Sequence, residues 1–88
     1  MSDPPKRILI VEDAEPIAAS MAELLHQEGY EVICAADGQE ALAHLESTQA
    51  LPDLILLDLM MPLMDGYQFR ARQKQDPRLS HIPVLLMT

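Results

Sequence analysis

Two apolar runs, each ending in acidic residues, constrain the fold of this chain more than any other feature. Residues 8–11 (ILIV) lead directly into Glu12 and Asp13, and residues 54–57 (LILL) lead directly into Asp58. Four consecutive aliphatic residues without polar alternation are typical of strands buried on both faces, as in a parallel sheet. Because ligand sites in such sheets lie beyond the carboxyl ends of the strands, the three carboxylates are predicted to converge at one edge.

Strand and helix patterns alternate along the rest of the chain, which predicts a parallel sheet with right-handed crossovers. The predicted order is strand 7–11, helix 16–28, strand 30–35, a helix from Asp37-Gly38 to about 47–49, strand 54–58, a helix over about 67–75, and strand 84–87. In the first helix, Ile17, Met21, Leu24 and Leu25 follow helical spacing and are predicted to form one apolar stripe.

Composition narrows the class of protein. The chain has 88 residues, 49% of them hydrophobic, which suits one small folded domain. Its net charge of -8 argues against a nucleic-acid surface, and no apolar run approaches the ~20 residues that a membrane span needs. The single cysteine, Cys34, lies in an apolar stretch and is predicted to be a small core residue in a reducing compartment. We therefore expect a cytoplasmic protein.

The predicted acid cluster requires something to offset its charge. If the first and third strands are neighbours, Asp13 and Asp58 approach within roughly 5 Å. At an effective dielectric of 20, such a pair costs about 3 kcal/mol, and Glu12 adds to the repulsion. Either a carboxyl pKa is raised or a hard cation is bound, and oxygen ligands favour Mg²⁺. Separately, each acid could simply cap a helix or be solvated; two acid-terminated runs together favour a shared site.

Four blocks of the sequence resemble the receiver domain of two-component response regulators. They are ILIVED at 8–13, ADGQEAL at 36–42, DLILLDLMMPLMDG at 53–66 and IPVLLMT at 82–88. The resemblance covers residues 7–88, and the blocks agree in order and spacing. It implies an α/β, flavodoxin-like, doubly wound parallel sheet with strand order 2-1-3-4.

The resemblance also implies roles for individual residues. Asp58 would accept a phosphoryl group from a phosphohistidine on a sensor histidine kinase or a phosphotransfer protein. Mg²⁺ would be held by Asp13, Asp58 and the backbone carbonyl of Met60, with Glu12 acting through water. Thr88 would be the switch hydroxyl that donates to a phosphoryl oxygen and relays a conformational signal.

The sequence departs from the family pattern after Thr88, its last residue. Family members continue through a helix, a fifth strand with its lysine and a closing helix. We therefore expect residues 6–88 to be a partial receiver domain, either a fragment of a longer receiver or one whose gap another chain covers, and residues 1–5 to be a flexible leader. The fourth strand then becomes a bare apolar edge, through which self-association is expected. Arg70 and Gln73 occupy positions that are commonly apolar in the family, which predicts a loosely packed third helix.

These features raise three candidate functions. The first is the receiver module, which is not an enzyme beyond assisting its own phosphorylation and dephosphorylation. The second is a Mg²⁺-dependent phosphohydrolase, but that chemistry needs a second acid two residues after the nucleophile, where this chain has Met60. The third is a non-switching interaction or oligomerisation module that keeps the receiver fold.

Overall fold

A computed structural model of the chain describes residues 3–58 and 66–87. Within them, strands and helices alternate as predicted, with boundaries that differ from the prediction by one or two residues. The elements are β1 (Arg7–Val11), α1 (Glu15–Gln27), β2 (Glu31–Ala35), α2 (Gly38–Ser47), β3 (Leu54–Asp58), α3 (Gly66–Gln75) and β4 (Val84–Met87). Asp37 caps α2 as its sequence suggests, because its Oδ1 accepts a hydrogen bond from the Glu40 backbone N–H at 2.8 Å.

The sheet has the predicted topology. In the described part of the chain its four strands lie in the order β2-β1-β3-β4, and every neighbouring pair is parallel. The register pairs Val11 with Leu57 between the two central strands, so the carboxyl ends of β1 and β3 lie side by side. The predicted strand order 2-1-3-4 is confirmed.

Both central strands are buried on their two faces, which is why their sequences show no alternation. Leu9 and Val11 belong to one core cluster, with residues of α2 and α3. Ile8 and Ile10 belong to a second, in which the partners come mainly from α1. Each face of the sheet therefore buries alternate residues of one continuous apolar run.

The apolar stripe predicted for α1 is half wrong. Ile17 and Leu24 are 54% and 64% exposed, and the helix instead turns Ala18 towards the sheet. Met21 and Leu25, the other two predicted residues, do pack against the core. The buried face of α1 thus carries the small side chain of Ala18, so side-chain size was a poor guide to the phase of this helix.

The prediction that Cys34 is a core residue is also wrong. Cys34 is exposed, because β2 is an edge strand of the described sheet and only one of its residues, Ala35, is buried. Its thiol lies 4.0 Å from the Ala18 carbonyl oxygen of α1. The partial cover that α1 provides desolvates the sulfur and raises the pKa of the Cys34 thiol, so it stays protonated at neutral pH.

The third helix packs more closely than predicted. Phe69 and Gln73 of α3 are both 0% exposed. The buried amide of Gln73 forms hydrogen bonds with the segment between α3 and β4, and this explains how a polar residue occupies a core position. Arg78 of the same segment donates to the carbonyl oxygens of Leu45 (2.8 Å) and Thr48 at the end of α2.

Candidate functional site

Three carboxylates meet at the carboxyl edge of the sheet. Glu12 and Asp13 follow the last residue of β1, and Asp58 is the last residue of β3. One carboxylate oxygen from each residue lies within 4.8 Å of those from the other two. Glu12 and Asp58 are half-buried and Asp13 is exposed. The convergence predicted from the two apolar runs is therefore present in the fold.

Backbone contacts hold Glu12 in this position. Its backbone N–H donates to the Ala35 carbonyl at 3.0 Å, which extends the β1–β2 ladder by one residue. Its side-chain Oε1 accepts a hydrogen bond from the backbone N–H of Ala14, at 3.2 Å, where the chain turns into α1. Glu12 thus points along the sheet edge towards Asp58 rather than into solvent.

The crowding of the three acids perturbs the pKa of Glu12. Burial is the largest cause and raises that pKa, and the neighbouring charges of Asp58 and Asp13 raise it further. A hydrogen bond between the Glu12 and Asp58 carboxyls acts in the same direction, whereas the Ala14 N–H opposes it. Burial and the neighbouring acids thus disfavour the charged form of Glu12, and a bound cation would offset the same charges.

The donor set suits a hard divalent cation. The atoms that face one another are carboxylate oxygens, the ligand type that Mg²⁺ and Ca²⁺ prefer over nitrogen and sulfur. Acidic groups share one edge, whereas Arg7 lies at the other end of β1, where it forms an ion pair with Glu31 at 3.0 Å. The residues present therefore fit Mg²⁺.

Two residues of the predicted site, Met60 and Thr88, lie outside the described residues. Met87, the residue that precedes Thr88 in the sequence, pairs with Asp58 across the β3–β4 ladder. Asp53, which was predicted to be too far away to share a metal, lies at the opposite end of β3, where it accepts a hydrogen bond from the Arg7 N–H at 2.8 Å.

Comparison with known proteins decides the family. The family model of the response regulator receiver domain matches residues 8–88. The chain belongs to this family. Its receiver domain is 48% identical over 82 residues to the response regulator PleD of Caulobacter vibrioides, an alignment that covers 93% of this chain and 18% of that protein.

Solved structures agree with this assignment and with the flavodoxin-like fold. The N-terminal domain of a response regulator receiver protein from Methanoculleus marisnigri is 43% identical, with a TM-score of 0.86, over 93% of this chain and 65% of that one. The phosphorylated cyanobacterial phytochrome response regulator RcpA is 38% identical, with a TM-score of 0.85, over 93% of this chain and 64% of that one. The family membership does not favour the alternative of a non-switching interaction module.

The chain spans under a fifth of the length of PleD and about two thirds of these solved receiver structures. Among the described helices, none is both long and apolar enough to cross a membrane.

The sequence did not predict the structural roles of Gln73 and Arg78, neither of which belongs to the acid cluster. Gln73 lies four residues after Phe69 and therefore on the same helix face, a spacing that could have indicated its burial. Arg78 gave no comparable signal, because its partners are carbonyl oxygens about 30 residues earlier in the sequence.

Proposed function

We propose that this receiver domain accepts a phosphoryl group on Asp58 and passes a conformational signal to a partner. The observation that carries the proposal is the position of Asp58 at the carboxyl end of a central strand, with Glu12 and Asp13 oxygens within 4.8 Å. A half-buried carboxylate at a sheet edge is accessible to a donor and is flanked by groups that can share a cation.

The proposed transfer moves one phosphoryl group between two side chains. A carboxylate oxygen of Asp58 attacks the phosphorus of a phosphohistidine on the donor protein. The new P–O bond forms as the P–N bond breaks, and the released imidazole takes up a proton. The product is an acyl phosphate on Asp58, and water hydrolyses it to the free carboxylate and inorganic phosphate. In this scheme, the Asp58 side chain is the one group of the domain that is covalently changed.

Asp13, Asp58 and the Met60 carbonyl are the proposed ligands of Mg²⁺, with Glu12 acting through water. When bound, Mg²⁺ offsets the negative charge of the attacking carboxylate and of the phosphoryl oxygens. The three acids bring carboxylate oxygens within 4.8 Å of one another, which supports a cation at this edge.

Thr88 is the proposed switch hydroxyl. The pairing of Met87 with Asp58 supports this role, since Thr88 follows Met87 directly in the sequence. A hydrogen bond from its hydroxyl to a phosphoryl oxygen is charge-assisted and worth about 1.5–3 kcal/mol. That energy is enough to bias a loop between two conformations.

The proposed partner is a sensor histidine kinase or a phosphotransfer protein, because the proposed protein donor of the phosphoryl group is a phosphohistidine. A cytoplasmic location stays a prediction from the sequence. Self-association through β4 also stays a prediction; β4 is one of the two edge strands of the described sheet and exposes Leu85 and Leu86.

Phosphorylation by a small donor tests the proposal. The protein is incubated with acetyl phosphate and Mg²⁺, and its intact mass is followed with time. We expect one added phosphoryl group in the wild type and none in Asp58→Asn. Asp53→Asn is the matched control, because it makes the same change at the other end of β3 and retains an oxygen for the Arg7 N–H. Phosphorylation of Asp58→Asn at the wild-type rate, or a wild type that takes up no phosphate, would contradict the proposal.

A further inference from the structure

The side-chain amide of Gln73 is wholly buried and uses all of its hydrogen-bonding groups. Its Nε2 donates to the carbonyl oxygens of Leu79, at 2.9 Å, and Ile82, at 3.2 Å. Its Oε1 accepts from the Arg70 guanidinium at 2.8 Å. Because two partners are acceptors and the third is a donor, the orientation of the amide is unambiguous. Gln73 is the one fully buried polar residue in the described part of the chain.

These hydrogen bonds join α3 to the start of β4. Leu79 and Ile82 are buried in the core cluster that also contains Phe69 of α3. One residue after Ile82, the Pro83 carbonyl accepts the backbone N–H of Ile55 at 2.9 Å and opens the β3–β4 ladder. The position of residues 79–82 relative to α3 therefore determines which residue of β3 pairs with the first residue of β4.

The same ladder ends at the acceptor. With Ile55 paired to Val84 at one end, Asp58 is paired to Met87 at the other. The chain enters α3 eight residues after it leaves Asp58, and it returns to Asp58 along β4. The Gln73 side chain links α3 to the segment that leads into β4, through its hydrogen bonds to Leu79 and Ile82.

We propose that Gln73 is a positioning residue that couples α3 to β4, so that the phosphoryl-binding state of Asp58 depends on its hydrogen bonds. This inference rests on the proposed function of Asp58. An apolar residue of similar size fills the same space but removes the Gln73 donor from both carbonyls, and Leu79 then keeps the Ile82 backbone N–H while the Gln73 link to Ile82 is lost. The segment before β4 is then less firmly tied to α3, and β4 is free to shift relative to it. A buried network of this kind specifies one packing arrangement, which apolar contacts alone do less well.

The affinity for beryllofluoride with Mg²⁺, a mimic of the aspartyl phosphate, separates positioning from stability. The wild type is compared with Gln73→Met and with Leu25→Ala, which removes packing in the core cluster on the other face of the sheet from Phe69, Leu79 and Ile82. All titrations are made at a temperature at which each protein is fully folded. We expect both variants to melt at lower temperature, Gln73→Met to bind the mimic at least fivefold more weakly, and Leu25→Ala to bind within twofold of the wild type.

Equal affinities of Gln73→Met and the wild type would overturn the inference, since a purely structural role lowers only the melting temperature. A wild type that does not bind the mimic would instead overturn the proposed function of Asp58. If Gln73→Met does not fold, the wild type still provides a test. The NMR signals of the Gln73 side-chain amide protons are expected to shift on addition of the mimic, and unchanged signals would refute the coupling.

Discussion

Neutralising Asp13 is expected to stabilise the metal-free protein and to remove its response to Mg²⁺. In the structure, oxygens of Asp13, Glu12 and Asp58 lie within 4.8 Å of one another. A charge pair at that distance costs about 1 kcal/mol in water and about 3.5 kcal/mol at an effective dielectric of 20. Because Asp13 is exposed, the lower figure applies to each of its two pairs. Asp13→Asn should therefore raise the free energy of unfolding by about 1–2 kcal/mol.

Thermal melts at neutral pH and low salt measure this effect. For a domain of this size, a gain of 1 kcal/mol raises the melting temperature by about 4–8 °C. We expect Asp13→Asn to melt above the wild type in a chelator. In excess Mg²⁺ the wild type should gain stability by binding and the variant should gain much less, so the difference narrows or reverses.

The control for net charge is Asp53→Asn, which makes the protein equally less negative at a site beside Arg7. It should give no stabilisation in the chelator and should leave the Mg²⁺ response intact. An Asp13→Asn protein that melts at or below the wild-type temperature without metal would refute the reasoning. A Mg²⁺ response equal to that of the wild type would refute it as well.

Three further predictions follow from other contacts. Removing the guanidinium that caps α2, by Arg78→Ala, should lower the free energy of unfolding in urea by about 1–3 kcal/mol, and an unchanged urea midpoint would contradict the capping role. Because the pKa of Glu12 is raised in the metal-free folded state, the folded protein binds the Glu12 proton more tightly than the unfolded chain does. Protonated Glu12 therefore contributes to the free energy of unfolding at low pH, and this contribution is lost as the pH rises above 4.5. Glu12→Gln should remove that loss. If the melting temperatures of the variant and the wild type change equally with pH, the raised pKa of Glu12 is refuted. The wild type should form dimers or larger species in light scattering and Leu85→Lys should not, because Leu85 is 58% exposed on the edge strand; a monomeric wild type would contradict edge pairing.

The central strands and the acid cluster were predictable because the information is local. A run such as residues 8–11 has no polar face to present to solvent, and it therefore has to be covered on both sides. The carboxyl ends of adjacent parallel strands meet at one edge, which brings Asp13 and Asp58 together without any knowledge of the loops.

The failures concern long-range arrangement. Cys34 has an apolar neighbourhood in the sequence, but its exposure depends on β2 lying at the edge of the described sheet. Leu24 is as apolar as Leu25, but the face of α1 that packs on the sheet contains Ala18 and Leu25 and leaves Leu24 exposed. Gln73 is polar, and its burial depends on carbonyl partners six and nine residues away.

The most direct test of the account is to locate the acyl phosphate on the chain. The protein is phosphorylated with acetyl phosphate and Mg²⁺ and reduced with borohydride, which converts a phosphorylated aspartate to homoserine, and its peptides are then sequenced by mass spectrometry. The account predicts homoserine at position 58 alone. Reduction at Asp13 or at another acid, or no reduced residue in a protein that has gained phosphate, would contradict it.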